Sequence, residues 1–372
     1  MSGDHPAGDH PAGDHAAARL HTPICDLLGV RYPIVQTGMG WVAGARLAAA
    51  TSAAGGLGIL ASATMSVPEV DRAVASVQER TDAPFGVNLR SDHADIDRIV
   101  GIMIQRGVRV ASFAQAPNAA LIGRLRDAGV VTMPTIAAPR HAEKVAALGV
   151  DAVIAQGHEG GGHTGAIPTS LLLPQVCRVV DLPVLGAGGF YDGRGLVAAL
   201  AWGAAGIAMG TRFLLTKEST VPDDVKARYL QAGLTDTVVT KAIDGAPQRV
   251  IKTALVDGLG DRPGFGAAAR AVRNALALRR LTSTPLPALF REGLAMKRNG
   301  DLSWAQVAMA ANAPMLTKAA LVDGRLDAGV LPTGQVVGAL RELPTVAEVV
   351  GSIVAEAEAT LERLGGPARV AL

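Results

Sequence analysis

The chain has 372 residues and a formal net charge of +2, and 49% of its residues are hydrophobic but only 3% are aromatic. This length is enough for two domains or for one α/β barrel with an addition, and the core must be aliphatic and rich in alanine. Because charges of both signs are interspersed, with no basic stripe and no apolar run of about 18 residues, we expect neither nucleic-acid binding nor a membrane span.

The two cysteines indicate the redox environment of the protein. Cys25 and Cys177 lie far apart in the sequence, which argues against a disulfide framework and favours a reducing environment. The amino terminus lacks the hydrophobic core of a signal peptide. We therefore expect a cytoplasmic protein whose partners are small molecules, and a homodimer is one assembly that the sequence leaves open.

The amino-terminal residues 3–15 repeat Gly-Asp-His-Pro-Ala twice and then begin a third copy. A segment with so few apolar side chains has nothing to bury, so residues 1–20 are predicted to be a disordered extension. Its three histidines could bind stray metal, but the segment is left out of the fold prediction.

From Thr22 onward the chain alternates between short apolar strands and helices. The first unit joins a strand to the tight turn Thr37–Gly40 and a helix of small residues ended by Gly55 and Gly56. Eight such units precede about residue 215, and near-continuous apolar strands in series favour a closed (β/α)8 TIM barrel over residues 21–220. A doubly wound open sheet is the alternative. The predicted strands are Tyr32–Gln36, Leu57–Leu60, Phe85–Leu89, Arg109–Phe113, Val130–Ile136, Asp151–Ala155, Leu182–Leu185 and Gly206–Met209.

The sixth strand leads into an unusual loop, in which residues 157–165 contain five glycines, two histidines and a glutamate. A glycine cluster after a strand usually lets the backbone approach a ligand, and an imidazole there can take and give a proton near neutrality. The alternative is a metal site of His158, Glu159 and His163. Glycines provide no rigid frame for tetrahedral ligands, so no metal is predicted.

Two further glycine turns follow the seventh and eighth strands. These are Gly186–Gly189 and Gly210–Thr211, at the units where barrels bind phosphate through loop amides and a helix amino terminus. A dinucleotide-binding turn is the alternative reading of the first, but that fingerprint belongs to an early βαβ unit. We therefore predict a phosphate site.

Beyond the barrel the composition changes. Residues 221–345 are predicted to form a helical insertion over the substrate site, including Ala267–Leu281 and Trp304–Ala320. Within it, Arg270, Arg273, Arg279 and Arg280 could contact the phosphates of coenzyme A, although a solvated charged face is the more common case. A polar glycine loop ends at Gln335, and residues 346–372 form a closing helix that packs back on the barrel.

Taken as a set, these loops resemble those of the nitronate monooxygenase family, also called 2-nitropropane dioxygenase-like flavoproteins, over about residues 22–345. The resemblance implies an FMN-binding barrel with an added helical domain. The Gly-Gly-His that marks the family matches residues 161–163, which implies that His163 is the catalytic acid/base. It also implies an oxidoreductase that uses FMN, with NADH or NADPH as a possible reductant.

The remaining site residues are carried over by the same resemblance. Substrate contacts are expected at His158, which orders the loop or meets the insertion, and at Gly334 and Gln335. Flavin contacts are expected at Gly38, Met39, Gly40, Asn88, Gln156, Gly161, Gly162, Ala187, Gly188, Gly189, Met209, Gly210 and Thr211.

Two departures bear on the substrate. Family monooxygenases usually have Glu-Ala-Gly-Gly-His where this chain has Gly160 in place of alanine, and Trp-Ala-Gly-Gln where it has Pro332 and Thr333. The chain is most similar in appearance to an actinobacterial branch that acts on coenzyme A thioesters in steroid C and D ring degradation, so a CoA-linked enone or ketone is expected. The alternatives are a nitronate monooxygenase, a flavin-dependent enoyl reductase of fatty-acid or polyketide synthesis, and a non-catalytic flavin-binding protein.

Overall fold

Eight parallel strands close into a barrel in the computed structural model, which describes residues 20–259 and 314–365. The barrel order is β1-β2-β3-β4-β5-β6-β8-β9, and β9 returns to β1 through the pair Ile34 and Ile207. Closure excludes the open doubly wound sheet and confirms the predicted fold. In chain order the strands are β1 (Ile34–Gln36), β2 (Leu57–Ala61), β3 (Phe85–Leu89), β4 (Val110–Phe113), β5 (Val131–Ile136), β6 (Val153–Gln156), β7 (Gly162–His163), β8 (Val184–Ala187), β9 (Gly206–Met209), β10 (Thr237–Thr240) and β11 (Gln248–Ile251).

Helices connect successive barrel strands and cover the outside of the barrel. A 3-10 helix spans Gln335–Ala339, and residues 314–321 are also helical. The remaining helices with defined bounds are Pro23–Leu28, Ala45–Ala53, Val67–Gln78, Ile96–Gln105, Ala119–Asp127, Pro139–Ala146, Thr169–Val179, Gly193–Ala201, Thr211–Leu214, Asp223–Leu230, Ala254–Leu259 and Val346–Gly365.

The strands are apolar on both faces because both faces are buried. One set of side chains fills the barrel interior, and the first helix closes its amino-terminal end, where Thr22 Oγ1 donates to the Ala205 carbonyl and Arg109 donates to the Leu27 carbonyl. The opposite set packs against the surrounding helices. The interior cluster includes Ile24, Cys25, Leu28, Val35, Leu57, Ile59, Val110, Val131, Met133, Ala152, Ile154, Leu185 and Ala208.

A small antiparallel sheet stands beside the barrel, in the order β10-β11-β7. Its hairpin, β10 and β11, lies within the segment predicted to be helical, so the sequence prediction missed it. In register, Gln248 faces His163 and Arg249 faces Gly162. The pairing therefore ties the loop after β6 to a segment that follows the barrel.

The closing helix Val346–Gly365 begins at the predicted residue and packs against the helix Gly193–Ala201. Glu356 accepts a 2.8 Å hydrogen bond from the Gly193 backbone N–H, and Arg194 Nε lies 2.9 Å from its carboxylate. The amino-terminal repeat and the segment with the four arginines lie outside the described residues. Among residues 20–259 and 314–365, no helix is both long and apolar enough to cross a membrane.

Candidate active site

The predicted site residues lie at the carboxyl ends of the barrel strands, where barrel enzymes place their active sites. The loop after β1 touches the end of β3 there, since a Cβ at Gly38 would lie 2.3 Å from the Cβ of Asn88. The loops after β1 and β9 also touch, because a Cβ at Gly210 would lie 3.2 Å from Met39 Sδ. Gly40, in contrast, lies against Thr64.

Ordered contacts hold the glycine loop after β6. Gln156, at the end of β6, donates 2.7 Å from Nε2 to the carbonyl of His163. Thr164 Oγ1 donates 3.0 Å to the Gly157 carbonyl, and His158 Nδ1 donates 2.8 Å to the Gly165 carbonyl. The imidazole of His158 therefore orders the loop, and its role toward a substrate stays a prediction.

Glu159 and the two histidines have separate partners. The Glu159 carboxylate accepts from the backbone N–H of Thr169 at 2.9 Å and from its hydroxyl at 2.8 Å, at the first residue of the helix Thr169–Val179. His163 instead contacts the turn between β10 and β11. Within the described chain, no group of three or more His, Cys, Asp or Glu side chains could hold a metal ion.

His163 Nε2 lies 2.7 Å from Asp244 Oδ2, in the turn between β10 and β11. The Asp244 side chain is 16% exposed, while that of His163 is 65% exposed. Asp244 Oδ2 also accepts from Gln248 Nε2, and Oδ1 accepts from the Ala246 N–H at 3.1 Å. Burial by itself would raise the pKa of Asp244, but the hydrogen bond and charge of His163, with the other two donors, hold this pKa below its usual value.

The turns after β8 and β9 approach the same loop. Ala187 and Met209 end these strands, and Gly188 and Gly189 both have a φ of +87°. A Cβ at Gly188 would lie 2.9 Å from the Gly160 nitrogen. Among the described residues, the N–H groups of Gly188 and Gly189 donate to no carbonyl of a turn or loop, so they remain free for an anion.

The late Gly-Gln motif packs into this set. Thr211 Oγ1 accepts from the Gly334 N–H at 2.8 Å, and the Gln335 N–H donates 2.9 Å to the Glu159 carbonyl. A Cβ at Gly161 would lie 2.4 Å from the Thr333 carbonyl carbon. The Gln335 side chain instead donates to the Leu234 carbonyl at 3.3 Å. The backbone of the motif therefore packs against the glycine loop and Thr211, while its amide side chain bonds to Leu234.

Gln36, at the end of β1, leaves a buried acceptor at the mouth of the barrel. The residue is fully buried, and its Nε2 donates to the carbonyls of Thr37 and Ile59. Its Oε1 has no partner among the described residues. Because a buried polar atom is normally hydrogen-bonded, this oxygen fits a ligand that carries an N–H donor.

A closed barrel with an ionisable histidine and glycine turns at the carboxyl ends of its strands is the arrangement of a barrel enzyme. The model of the nitronate monooxygenase family matches residues 21–356, and the chain belongs to this family. It is therefore an oxidoreductase of a flavoprotein family.

Two relatives cover nearly the whole chain, and both are named (3aS,4S,5R,7aS)-5-hydroxy-7a-methyl-1-oxo-octahydro-1H-indene-4-carboxyl-CoA dehydrogenase. The protein from Mycobacterium tuberculosis is 57% identical over 342 residues, which are 91% of this chain and 96% of that protein. The protein from Rhodococcus jostii is 55% identical over 346 residues, which are 93% of this chain and 98% of that protein. The solved structure of FabK from Thermotoga maritima has a TM-score of 0.75 and 33% identity, and covers 92% of this chain and 98% of that one.

The sequence pattern predicted a role for His163 but gave no indication of its partners Asp244 and Gln248. They lie 81 and 85 residues further along the chain, and no motif links them to the glycine loop. The available signal was indirect, since all four residues of β10, Thr237–Thr240, are β-branched and so favour a strand over the predicted helix.

Proposed function

We propose that this chain is an FMN-dependent dehydrogenase that acts on a hydroxylated bicyclic ketone carried as a coenzyme A thioester. The observation that carries the proposal is His163, placed on a glycine loop at the barrel mouth and hydrogen-bonded to a buried carboxylate. The substrate class is supported by the two relatives at 57% and 55% identity, whose names describe a hydroxylated indene-carboxyl-CoA.

FMN fits the residues that gather at the barrel mouth. The free N–H groups of Gly188 and Gly189, with the turn at Gly210 and Thr211, would hold its phosphate. The unpartnered Oε1 of Gln36 would accept from an N–H of the flavin ring. Gly38 and Met39, in the loop after β1, and Asn88, at the end of β3, would contact the ring. One phosphate-sized site supports FMN and not FAD, and chromatography of the flavin released on denaturation tests this choice.

In a dehydrogenation the substrate loses a proton and a hydride. FMN supplies the hydride acceptor when it is bound. His163 takes the proton, and the buried Asp244 carboxylate stabilises the imidazolium that forms. A general base of this kind accelerates a reaction by about 10²- to 10⁴-fold, so His163→Gln should lower turnover by about that factor and leave flavin binding intact.

The fold also supports a second direction, in which NADH or NADPH reduces the flavin and an enoyl thioester reoxidises it. The observation in its favour is the similarity to FabK over 92% of this chain, because the resemblance extends to flavin-dependent enoyl reductases. In this direction His163 would donate a proton instead of taking one. Oxidation of a nitronate by oxygen is the third reaction, supported by the family membership alone.

Anaerobic stopped-flow spectroscopy of the full-length, FMN-loaded protein separates the three reactions. Flavin absorbance is followed after mixing with a hydroxylated bicyclic CoA thioester, with NADH or NADPH, or with propionate 3-nitronate. Bleaching by the thioester alone is the expected result. Bleaching only by the reduced nicotinamide, with recovery on addition of an enoyl thioester, would assign a reductase, and bleaching only by the nitronate would assign a monooxygenase.

A further inference from the structure

We propose that Asp244 is a positioning residue that keeps the proton of neutral His163 on Nε2, so that Nδ1 is the atom that takes the proton of the substrate. This inference deepens the proposed function and rests on it for the identity of the substrate. It also concerns a property of the free protein, the tautomer of one imidazole, which can be measured without any substrate.

The carboxylate decides which ring nitrogen carries the proton. An ionised carboxyl group only accepts hydrogen bonds, and the lowered pKa of Asp244 keeps this group ionised at neutral pH. At 2.7 Å from Asp244 Oδ2, Nε2 of His163 must therefore be the donor. In a neutral imidazole the other nitrogen, Nδ1, then has the lone pair.

Gln248 lies against both partners. Its Nε2, which can only donate, bonds to Asp244 Oδ2 and also lies 3.1 Å from Nε2 of His163, so the assignment of the proton rests on the 2.7 Å bond between His163 and the carboxylate. Reversing the amide would place its oxygen against the carboxylate, where two acceptors would repel each other, so the amide nitrogen must face Asp244. Gln248 and the Ala246 N–H thus hold both oxygens of Asp244, and the carboxylate cannot turn away from His163.

The other side of the imidazole is free to react. Within residues 20–259 and 314–365, no protein group hydrogen-bonds to Nδ1 of His163, and the side chain is 65% exposed. The backbone of His163 is held by Gln156 and by the pairing of β7 with β11. The loop therefore fixes the residue while leaving Nδ1 available to a ligand.

The substrate would lose two hydrogens, one as a proton to Nδ1 of His163 and one as a hydride with its electron pair, for which bound FMN would be the acceptor and so become reduced. The imidazolium then carries protons on both nitrogens, and the Nε2–H remains on the Asp244 carboxylate. Asp244 acts only through His163 and does not itself contact the substrate.

Asp244→Asn is the direct test, because it keeps the shape and removes the charge. An asparagine can offer its N–H to Nε2, which would move the proton of the imidazole to Nδ1 and remove the base. We expect flavin reduction by the thioester to slow by about 10²- to 10⁴-fold, with little change in KM or FMN content. Asp244→Glu keeps an acceptor and should restore part of the rate, while Asp236→Asn, the same change before β10, serves as the matched control.

Nitrogen-15 NMR of histidine-labelled holoprotein reads the tautomer directly, with the His163 signals assigned by their loss in His163→Gln. We expect the Nε2–H form in the native protein and the Nδ1–H form in Asp244→Asn. A native Nδ1–H form, or an Asp244→Asn variant that binds FMN and keeps both tautomer and rate, would overturn the inference. If no thioester reduces the flavin of the native protein, the proposed function fails, whereas the tautomer still decides the role of Asp244.

Discussion

Replacement of Gly161 by alanine tests how closely the two glycine motifs depend on each other. A Cβ at this position would lie 2.4 Å from the Thr333 carbonyl carbon and 2.5 Å from the Gly334 nitrogen. Both distances are about 1 Å short of ordinary van der Waals contact, and both atoms are backbone, so no flexible side chain can move aside. Either the loop or the segment 332–335 must shift.

The shift would affect both the stability of the fold and the rate of flavin reduction. Gly334 N–H bonds to Thr211 Oγ1 at 2.8 Å, and Gln335 N–H bonds to the Glu159 carbonyl at 2.9 Å. Overpacking of this kind costs about 1–3 kcal/mol of stability. Misplacement of a catalytic group by about 1 Å lowers rates by about 10²-fold, so Gly161→Ala should reduce flavin at about one hundredth of the native rate.

Gly162→Ala is the matched control in the same loop. Gly162 has a φ of +64°, but no atom of another described residue lies within 4 Å of an added Cβ. This variant should lose about 1–2 kcal/mol to the left-handed backbone and reduce flavin faster than Gly161→Ala, because it meets no backbone atom. The assay is the anaerobic single-turnover rate of flavin reduction, together with denaturant unfolding. A Gly161→Ala protein that reacts as fast as Gly162→Ala would refute the argument from close contact.

The barrel could be predicted because its signals are local. Near-continuous apolar runs such as Val153–Gln156 can be buried on both faces only in a parallel sheet covered by helices. The first strand begins at Ile34 and not at the predicted Tyr32, since Pro33 has no N–H for the ladder. The glycine density after β6 predicted a ligand loop, and the binding of a ligand there stays a prediction.

The partners of His163 could not be predicted in the same way. They depend on the antiparallel pairing of β7 with β11, and β7 has only two residues, too few for a periodic pattern. The direction of the His158 imidazole, which bonds to Gly165 of its own loop, is set by backbone conformation and not by residue type. Sequence therefore singled out His163 as the proposed acid/base, but not which nitrogen of its ring is free.

Gly188→Ala adds a Cβ at positive φ, 2.9 Å from the Gly160 nitrogen, so we expect weaker FMN retention on gel filtration. Gly351→Ala, whose Cβ would have no atom of another described residue within 4 Å, should retain FMN as the native protein does. Tyr229→Phe removes the buried hydroxyl that donates to the Pro332 carbonyl at 3.0 Å, and should lower the free energy of unfolding by about 1 kcal/mol. The last concerns pH. Because the pKa of Asp244 is lower in the folded protein than in the unfolded chain, its ionisation stabilises the fold fully above about pH 4 and less as the pH falls through the folded value. Asp244→Asn lacks this ionisation, so the stability gap between the native protein and the variant should be constant near neutrality and shrink below about pH 4. Urea unfolding at each pH measures the gap, and a gap that widens in acid would mean that Asp244 is bound in its neutral form.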